Sequence, residues 1–244
     1  MVDIDHYCRV YDNFLEDSDC DEYVAKFEET ITVDAKRHRE LSICYREDGS
    51  MICGGCDCMR TNPMEYPRFH DLNLKLIDKW MESIERYKED TGIDQFKYQW
   101  PKQYGWEELR MKKFRVDSEK GHGLELHSDV YSYAHAKRFL CLMVYLNDDF
   151  TDGETFFPLM GAKVQPKKGR LFIFPPSWNY LHQGIPPQPP SNNGAKYFIM
   201  THLVYVDKKE KINVGVDFSS RAKVARDEES VKLWGEYAKW PTKL

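Results

Sequence analysis

Arg138-Phe139-Leu140-Cys141-Leu142-Met143-Val144-Tyr145-Leu146, closed by Asn147-Asp148-Asp149, is the stretch on which the fold reading turns. Nine mostly apolar residues ended by turn chemistry read as a short, buried strand. Working outward, segments of the same kind recur at 110–117, 123–131, 162–164, 170–174, 179–185 and 196–206. Between them lie Asp117-Ser118-Glu119-Lys120-Gly121, Asp152-Gly153, Pro166-Lys167-Lys168-Gly169 and the run from Pro186 to Gly194. Short strands at close spacing with turn signals between them predict an all-β sandwich or barrel.

Upstream of residue 97 the period is helical. A strand around Tyr7–Phe14 leads to Glu16-Asp17-Ser18, whose capping chemistry opens a helix carrying Tyr23, Val24 and Phe27. Leu72, Leu76, Trp80, Ile84 and Tyr87 fit one face of an amphipathic helix from Asp71 to Glu89, with Gly92 just past its end. Residues 44–62 read as irregular, because Asp48-Gly49, Gly54-Gly55 and Asn62-Pro63 are turn pairs. Beyond Asp207 the chain is highly charged, and Val224, Val231, Trp234 and Tyr237 suggest a helix packed on the outside. The organisation expected is one domain: helical and strand supports at 1–109, a β core at 110–206 and a charged extension at 207–244.

Composition narrows the classes. The 244 residues are 41% hydrophobic and 31% charged, as in soluble globular proteins, with a formal net charge of −5. That balance gives no bulk reason to bind nucleic acid or an anionic membrane surface. No apolar run is long enough to span a bilayer. The start, Met1 to His6, does not look like a secretory leader, and seven cysteines without one point to free thiols in a reducing, cytoplasmic setting.

The chemistry sits in Leu126-His127-Ser128-Asp129. On a strand, residues two apart share a face, so His127 and Asp129 can converge, and His182 lies on a later segment. Two imidazoles and one carboxylate on one side of a metal are the facial triad of non-haem Fe(II) oxygenases, with the other positions open. A His-x-acid pair alone is weak, as His38-Arg39-Glu40 shows. Lys196 would bring a cation to the inner face shared by Phe198, Met200 and His202.

The surrounding text resembles the prolyl 4-hydroxylase branch of the 2-oxoglutarate/Fe(II) dioxygenases. The strand ending Tyr145-Leu146-Asn147-Asp148 is followed by Asp152-Gly153-Glu154-Thr155-Phe156-Phe157-Pro158, close to the family's Gly-Gly-Glu-Thr-x-Phe-Pro. Val164-Gln165-Pro166-Lys167-Lys168-Gly169-Arg170-Leu171-Phe172-Ile173-Phe174, Leu181-His182-Gln183-Gly184 and Gly194-Ala195-Lys196-Tyr197 resemble three further family motifs. With Tyr11-Asp12-Asn13-Phe14-Leu15 at the entry, the likeness spans most of 10–205.

The resemblance implies a double-stranded β-helix, a cupin-like jelly roll with N-terminal helices buttressing one sheet. It implies His127, Asp129 and His182 as Fe(II) ligands and Lys196 as the partner of the distal carboxylate of 2-oxoglutarate. The reaction implied is hydroxylation of an unactivated C–H with O2, releasing succinate and CO2, with ascorbate as a candidate reductant. An acid at position 129 favours hydroxylation, since a halogenase of the superfamily carries a small residue there.

Two departures bear on substrate. Phe114 stands where prolyl hydroxylases offer a tyrosine, and cannot donate its hydrogen bond. His202 stands where they have tryptophan, either in substrate contact or as a core imidazole. The substrate expected is a prolyl residue of a protein or peptide. The alternatives are a free amino acid or other small molecule, and a catalytically inactive jelly-roll binding module. Arg138, Arg60, His202 and Trp178 are the substrate-contact candidates, Trp178 and Tyr180 being either pocket wall or core. Cys44, Cys53, Cys56 and Cys58 lack the two separated Cys-x-x-Cys pairs of a zinc ribbon, and read rather as a glycine-rich, substrate-covering hairpin with free thiols. His122 and His135 are expected as exposed loop histidines.

Overall fold

The computed structural model describes residues 5–33, 39–45, 51–116 and 123–206, with 39–45 and 51–58 described by backbone alone. In chain order the strands are β1 (Arg9–Tyr11), β2 (Arg39–Tyr45), β3 (Met51–Thr61), β4 (Tyr104–Trp106), β5 (Arg110–Arg115), β6 (Leu124–His127), β7 (Arg138–Tyr145) and β8 (Thr151–Asp152). They continue with β9 (Thr155–Phe157), β10 (Ala162–Val164), β11 (Leu171–Phe174), β12 (His182–Gly184), β13 (Pro187–Gln188) and β14 (Ala195–Tyr205). Among the described residues two α-helices, α1 (Asp17–Val33) and α2 (His70–Thr91), precede the β core.

Among the described residues the strands form a major eight-stranded sheet, ordered β1-β11-β7-β14-β5-β3-β2 with β4 also on β14. A minor sheet, β10-β9-β12-β6, faces it, and β13 pairs with β8. The pairings are antiparallel. This is the mainly β jelly roll with helical supports.

Strand alternation then sorts the side chains of the central strands of the major sheet. Leu140, Leu142 and Val144 of β7, with Tyr197, Ile199 and Leu203 of β14, pack on Tyr23, Phe27, Leu76 and Trp80 of the helices. Their neighbours Cys141, Met143, Tyr145, Phe198 and Met200 face inward with Phe114, Phe157, Phe172 and Phe174. The central strands are thus covered on both faces, which is why the 138–146 run lacks an exposed polar alternation.

The expected helix at 71–89 is α2, and its apolar stripe is the buried one. It ends on Gly92 in the left-handed region (φ 62°), whose N–H returns to the Lys88 carbonyl. Residues 44–62 are more regular than expected, although a hairpin was anticipated around the cysteine cluster. They hold most of a long β2–β3 hairpin, and β3 joins the major sheet by pairing Met59, Arg60 and Thr61 with β5. A partner strand supplies the ladder there, so local turn chemistry misleads. Strand β9, inside the Gly-Glu-Thr-Phe-Phe motif, and the short β4 were also not anticipated.

The four side chains of the cysteine cluster, His122 and the segment after residue 206 lie outside the described residues. Neither described helix is long and apolar enough to cross a membrane.

Candidate metal centre and its cavity

The two sheets enclose a cavity of about 100 Å³ whose wall carries His127, Asp129, His182 and Lys196. His127 is the last residue of β6 and His182 the first of β12, and the two are direct cross-strand partners. Their ring centroids are 4.4 Å apart. Each imidazole is fixed from behind by the backbone carbonyl two residues before it. His127 Nδ1 lies 2.6 Å from the Glu125 carbonyl, and His182 Nδ1 lies 3.0 Å from the Tyr180 carbonyl. A carbonyl can only accept, so each Nδ1 is the donor and each Nε2 lone pair is left for the cavity.

Asp129 reaches the same point by a route other than the expected one. Strand β6 stops at His127, and Asp129 sits in a bend beyond it. The bend is held from the other side of the loop. Ser128 Oγ donates to the Pro176 carbonyl at 3.1 Å, and Val130 N–H donates to the same carbonyl at 3.3 Å. Asp129 Oδ1 then lies 3.5 Å from His127 Nε2, and Oδ2 lies 3.9 Å from His182 Nε2. The three candidate donor atoms fall within 4.8 Å of one another.

Electrostatics follow from this crowding. Burial pushes the Asp129 carboxyl up, but the imidazoles of His127, His202 and His182 that face it outweigh burial and hold the group well below the usual carboxylate range. Burial opposes charge on His127, yet the adjacent Asp129 carries that imidazole above its ordinary value. Burial pushes His182 down. A compact negative oxygen between two imidazole lone pairs suits a small divalent cation.

At the other end of the cavity Lys196 is 2% exposed and donates to the Gly153 carbonyl at 2.6 Å. Its ammonium lies 5.2 Å from the Tyr145 ring centroid and 5.3 Å from that of Phe198. Burial pushes it down to about 7 from an ordinary 10.5, and Glu154 only partly offsets this. The Glu154 carboxylate is itself engaged by Gln165 and Lys163. An ammonium buried on one carbonyl has donors to spare, which a carboxylate could take up.

Phe114 stands directly across from Lys196 in the register. The hydroxyls near this end come instead from Tyr145 and Thr155, bonded to each other at 2.7 Å. Thr155 lines the cavity. Neither residue was singled out from sequence, although both lie in the quoted motifs.

The substrate-contact candidates are not gathered here. Arg60 pairs with Glu108, away from the cavity wall. Arg138 is committed to Glu107, with bonds of 2.6 and 2.8 Å, and to the Asp129 carbonyl at 3.0 Å. His202 is fully buried behind Asp129, with Nε2 3.1 Å from Oδ2. Trp178 is 80% exposed and off the cavity wall, whereas Tyr180 belongs to the inner core. Besides Lys196, the cations that line the cavity are Arg110 and Lys112, both on β5. Alternation placed them there, and the register that reveals it is tertiary. His135 is partly buried, with Nδ1 2.9 Å from Ser132 Oγ.

Residues 111–204 match the family model described as the 2OG-Fe(II) oxygenase superfamily. A protein of Acanthamoeba polyphaga mimivirus carrying a provisional prolyl 4-hydroxylase name is 38% identical over 58 residues, 20% of this chain and 24% of that one. The matched stretch therefore spans about a quarter of that curated relative. Among solved structures, the viral collagen prolyl hydroxylase of Paramecium bursaria chlorella virus-1 aligns with a TM-score of 0.54 at 22% identity, covering 82% of this chain and 97% of that chain. A Trichoplax adhaerens prolyl hydroxylase in complex with a hypoxia-inducible-factor peptide fragment aligns at 0.56 and 14%, covering 82% and 84%. A Pseudomonas putida prolyl-4-hydroxylase aligns at 0.53 and 14%, covering 83% and 94%. At these identities the structural likeness establishes the jelly roll itself.

Proposed function

We propose, from the premise that residues 111–204 form a 2OG-Fe(II) oxygenase domain of the prolyl 4-hydroxylase-like branch, that the protein is a 2-oxoglutarate-dependent dioxygenase hydroxylating a prolyl residue of a protein or peptide. The observation that carries the reading is the convergence of two Nε2 atoms and one carboxylate on a cavity closed at its far end by Lys196. The donor set fits a ferrous ion: two neutral imidazoles with fixed tautomers, one carboxylate, and a cavity to admit further ligands.

With Fe(II) held by His127, Asp129 and His182, the group supplies the O2 chemistry that hydroxylates a C–H and releases succinate and CO2 from 2-oxoglutarate. The chain's own residues do the rest. Lys196 binds the distal carboxylate and so sets which end of the keto-diacid reaches the triad. Thr155 and Tyr145 offer hydroxyls beside it. Phe114, Phe174 and Phe198 keep the cavity between the two charged ends dry.

A peptide substrate is supported by the rim. Tyr131, Tyr133 and Trp178 are 73%, 97% and 80% exposed. They stand on the two loops that Ser128, Val130 and Pro176 tie together beside Asp129. Exposed rings of this kind are what proline-containing segments dock on. A second reading, a small molecule bearing a carboxylate, is favoured by Arg110 and Lys112 on the cavity wall.

Incubation with Fe(II), 2-oxoglutarate and ascorbate, against proline-containing peptides and free amino acids, tests the reading. The expected result is succinate release coupled to a peptide product heavier by one oxygen atom. Products confined to free amino acids would favour the second reading. Absence of succinate in every arm would leave an inactive binding module. In the Trp178→Ala/Tyr133→Ala double variant, KM for the peptide should rise about tenfold, a loss typical of an interface aromatic. The KM for 2-oxoglutarate should stay unchanged.

A further inference from the structure

We infer that His202 is a positioning residue that fixes how the Asp129 carboxylate presents itself to the metal, an inference that rests on the centre proposed above. Asp129 lies beyond the end of β6, so no strand ladder orients it. What orients it is a circuit of buried side chains in which one link is an electrostatic contact. His202 Nε2, on β14, lies 3.1 Å from Asp129 Oδ2. The other ring nitrogen, Nδ1, faces Glu107 Oε2 at 3.4 Å as an electrostatic contact, with no hydrogen bond made. Arg138 grips both Glu107 oxygens and uses Nη1 to bond the Asp129 carbonyl. The circuit therefore leaves residue 129 by its side chain and returns to it by its backbone.

The circuit is anchored to the major sheet. Glu107 N–H donates to the His202 carbonyl at 2.9 Å, and Thr201 Oγ1 donates to the Glu107 carbonyl at 2.8 Å. His202, Glu107 and Arg138 are all buried or nearly so, with side-chain exposures of 0%, 10% and 8%. In such surroundings a carboxylate that loses a partner carries its full desolvation cost, so the arrangement has little freedom.

Its consequence for the metal is stereochemical. With Oδ2 engaged by His202, Oδ1 is the oxygen free to ligate beside His127 Nε2. Asp129 thus offers one oxygen instead of two, and a coordination position that a bidentate carboxylate would fill stays available. Asp129 is the ligand, and His202 acts through it.

The test uses the full chain and Mn(II) as the probe, with dissociation constants read from the signal of free Mn(II) and folding checked by circular dichroism. His202→Leu removes the donor and should weaken Mn(II) roughly 10–100-fold, the usual effect of losing an outer-shell partner of a metal ligand. His202→Gln restores an N–H donor and should recover to within about threefold of wild type on the same scale. Anaerobic Fe(II) with 2-oxoglutarate gives the second readout. Its visible charge-transfer band should shift in the Leu variant and return toward wild type in the Gln variant. If His202→Leu does not fold, Glu107→Gln carries the test, with a smaller loss of roughly 3–10-fold.

Folded variants that bind Mn(II) as wild type does would overturn the inference and leave the metal centre standing. A wild-type chain that binds no Mn(II) would overturn both.

Discussion

Lys196 shows how one residue can report on a ligand before that ligand is seen. Its ammonium is buried with a carbonyl for company, and burial has pushed it down to about 7. Below that value the free protein offers a cation to a dicarboxylate. Above it the lysine is neutral, and binding must take up a proton. Affinity for 2-oxoglutarate should therefore fall about tenfold per pH unit above roughly 7, until the pKa of the bound state is reached. Calorimetry in buffers of different ionisation enthalpy checks this by showing proton uptake. Lys196→Met should weaken 2-oxoglutarate by about 10–100-fold, from the roughly 1.5–3 kcal/mol of a bond to a charged group, and abolish the pH slope. At this scale His182 and Lys196 of the candidate site were legible because they stand within ordered motifs, and His127 by its spacing to Asp129 given those motifs. The place of Asp129 was not, since a Ser128–Pro176 bond across the loop sets it rather than strand alternation. Nor were the duties of Arg138 and His202, whose partner Glu107 sits before β5 and bears no local mark.

Among the elements, α2 and the turn before β11 make the sharpest claims. Trp80 is 1% exposed and stacks on Trp106 at 5.7 Å, so Trp80→Ala should cost about 3–5 kcal/mol, read as a fall in the denaturation midpoint. Gly169 holds φ at 72°, and its carbonyl accepts the N–H groups of Phe14 and Leu15 at 2.8 and 3.1 Å. A Cβ there would strike the Leu15 backbone, so Gly169→Ala should cost more than about 1 kcal/mol, by misplacing the entry strand against β11. Legibility differed between elements for a physical reason. The stripe Leu72, Leu76, Trp80, Ile84, Tyr87 is a local pattern, and it is the face that α2 buries. The β2–β3 region reads as a hairpin at the cysteines but otherwise as irregular, because Gly54-Gly55 and Asp48-Gly49 signal turns while β5 supplies the pairing that extends the sheet.

For the whole molecule, the metal should act as a stabiliser. Mn(II) at about 100 times its dissociation constant adds roughly 2.7 kcal/mol. For a chain of this size that is a rise in Tm of about 5–10 °C, visible by differential scanning calorimetry. His127→Ala should abolish the rise while leaving the metal-free melt near wild type, since that side chain is part-exposed. The division of labour between the sheets has one more outcome. The two imidazoles belong to the minor sheet, while the hold on Asp129 comes from β14 of the major one. During refolding from denaturant, then, the minor sheet alone should hold the ion roughly 10–100-fold less tightly than the closed sandwich. At a metal concentration near the native dissociation constant, a metal-sensitive signal should lag behind secondary structure and time the closing of the sandwich.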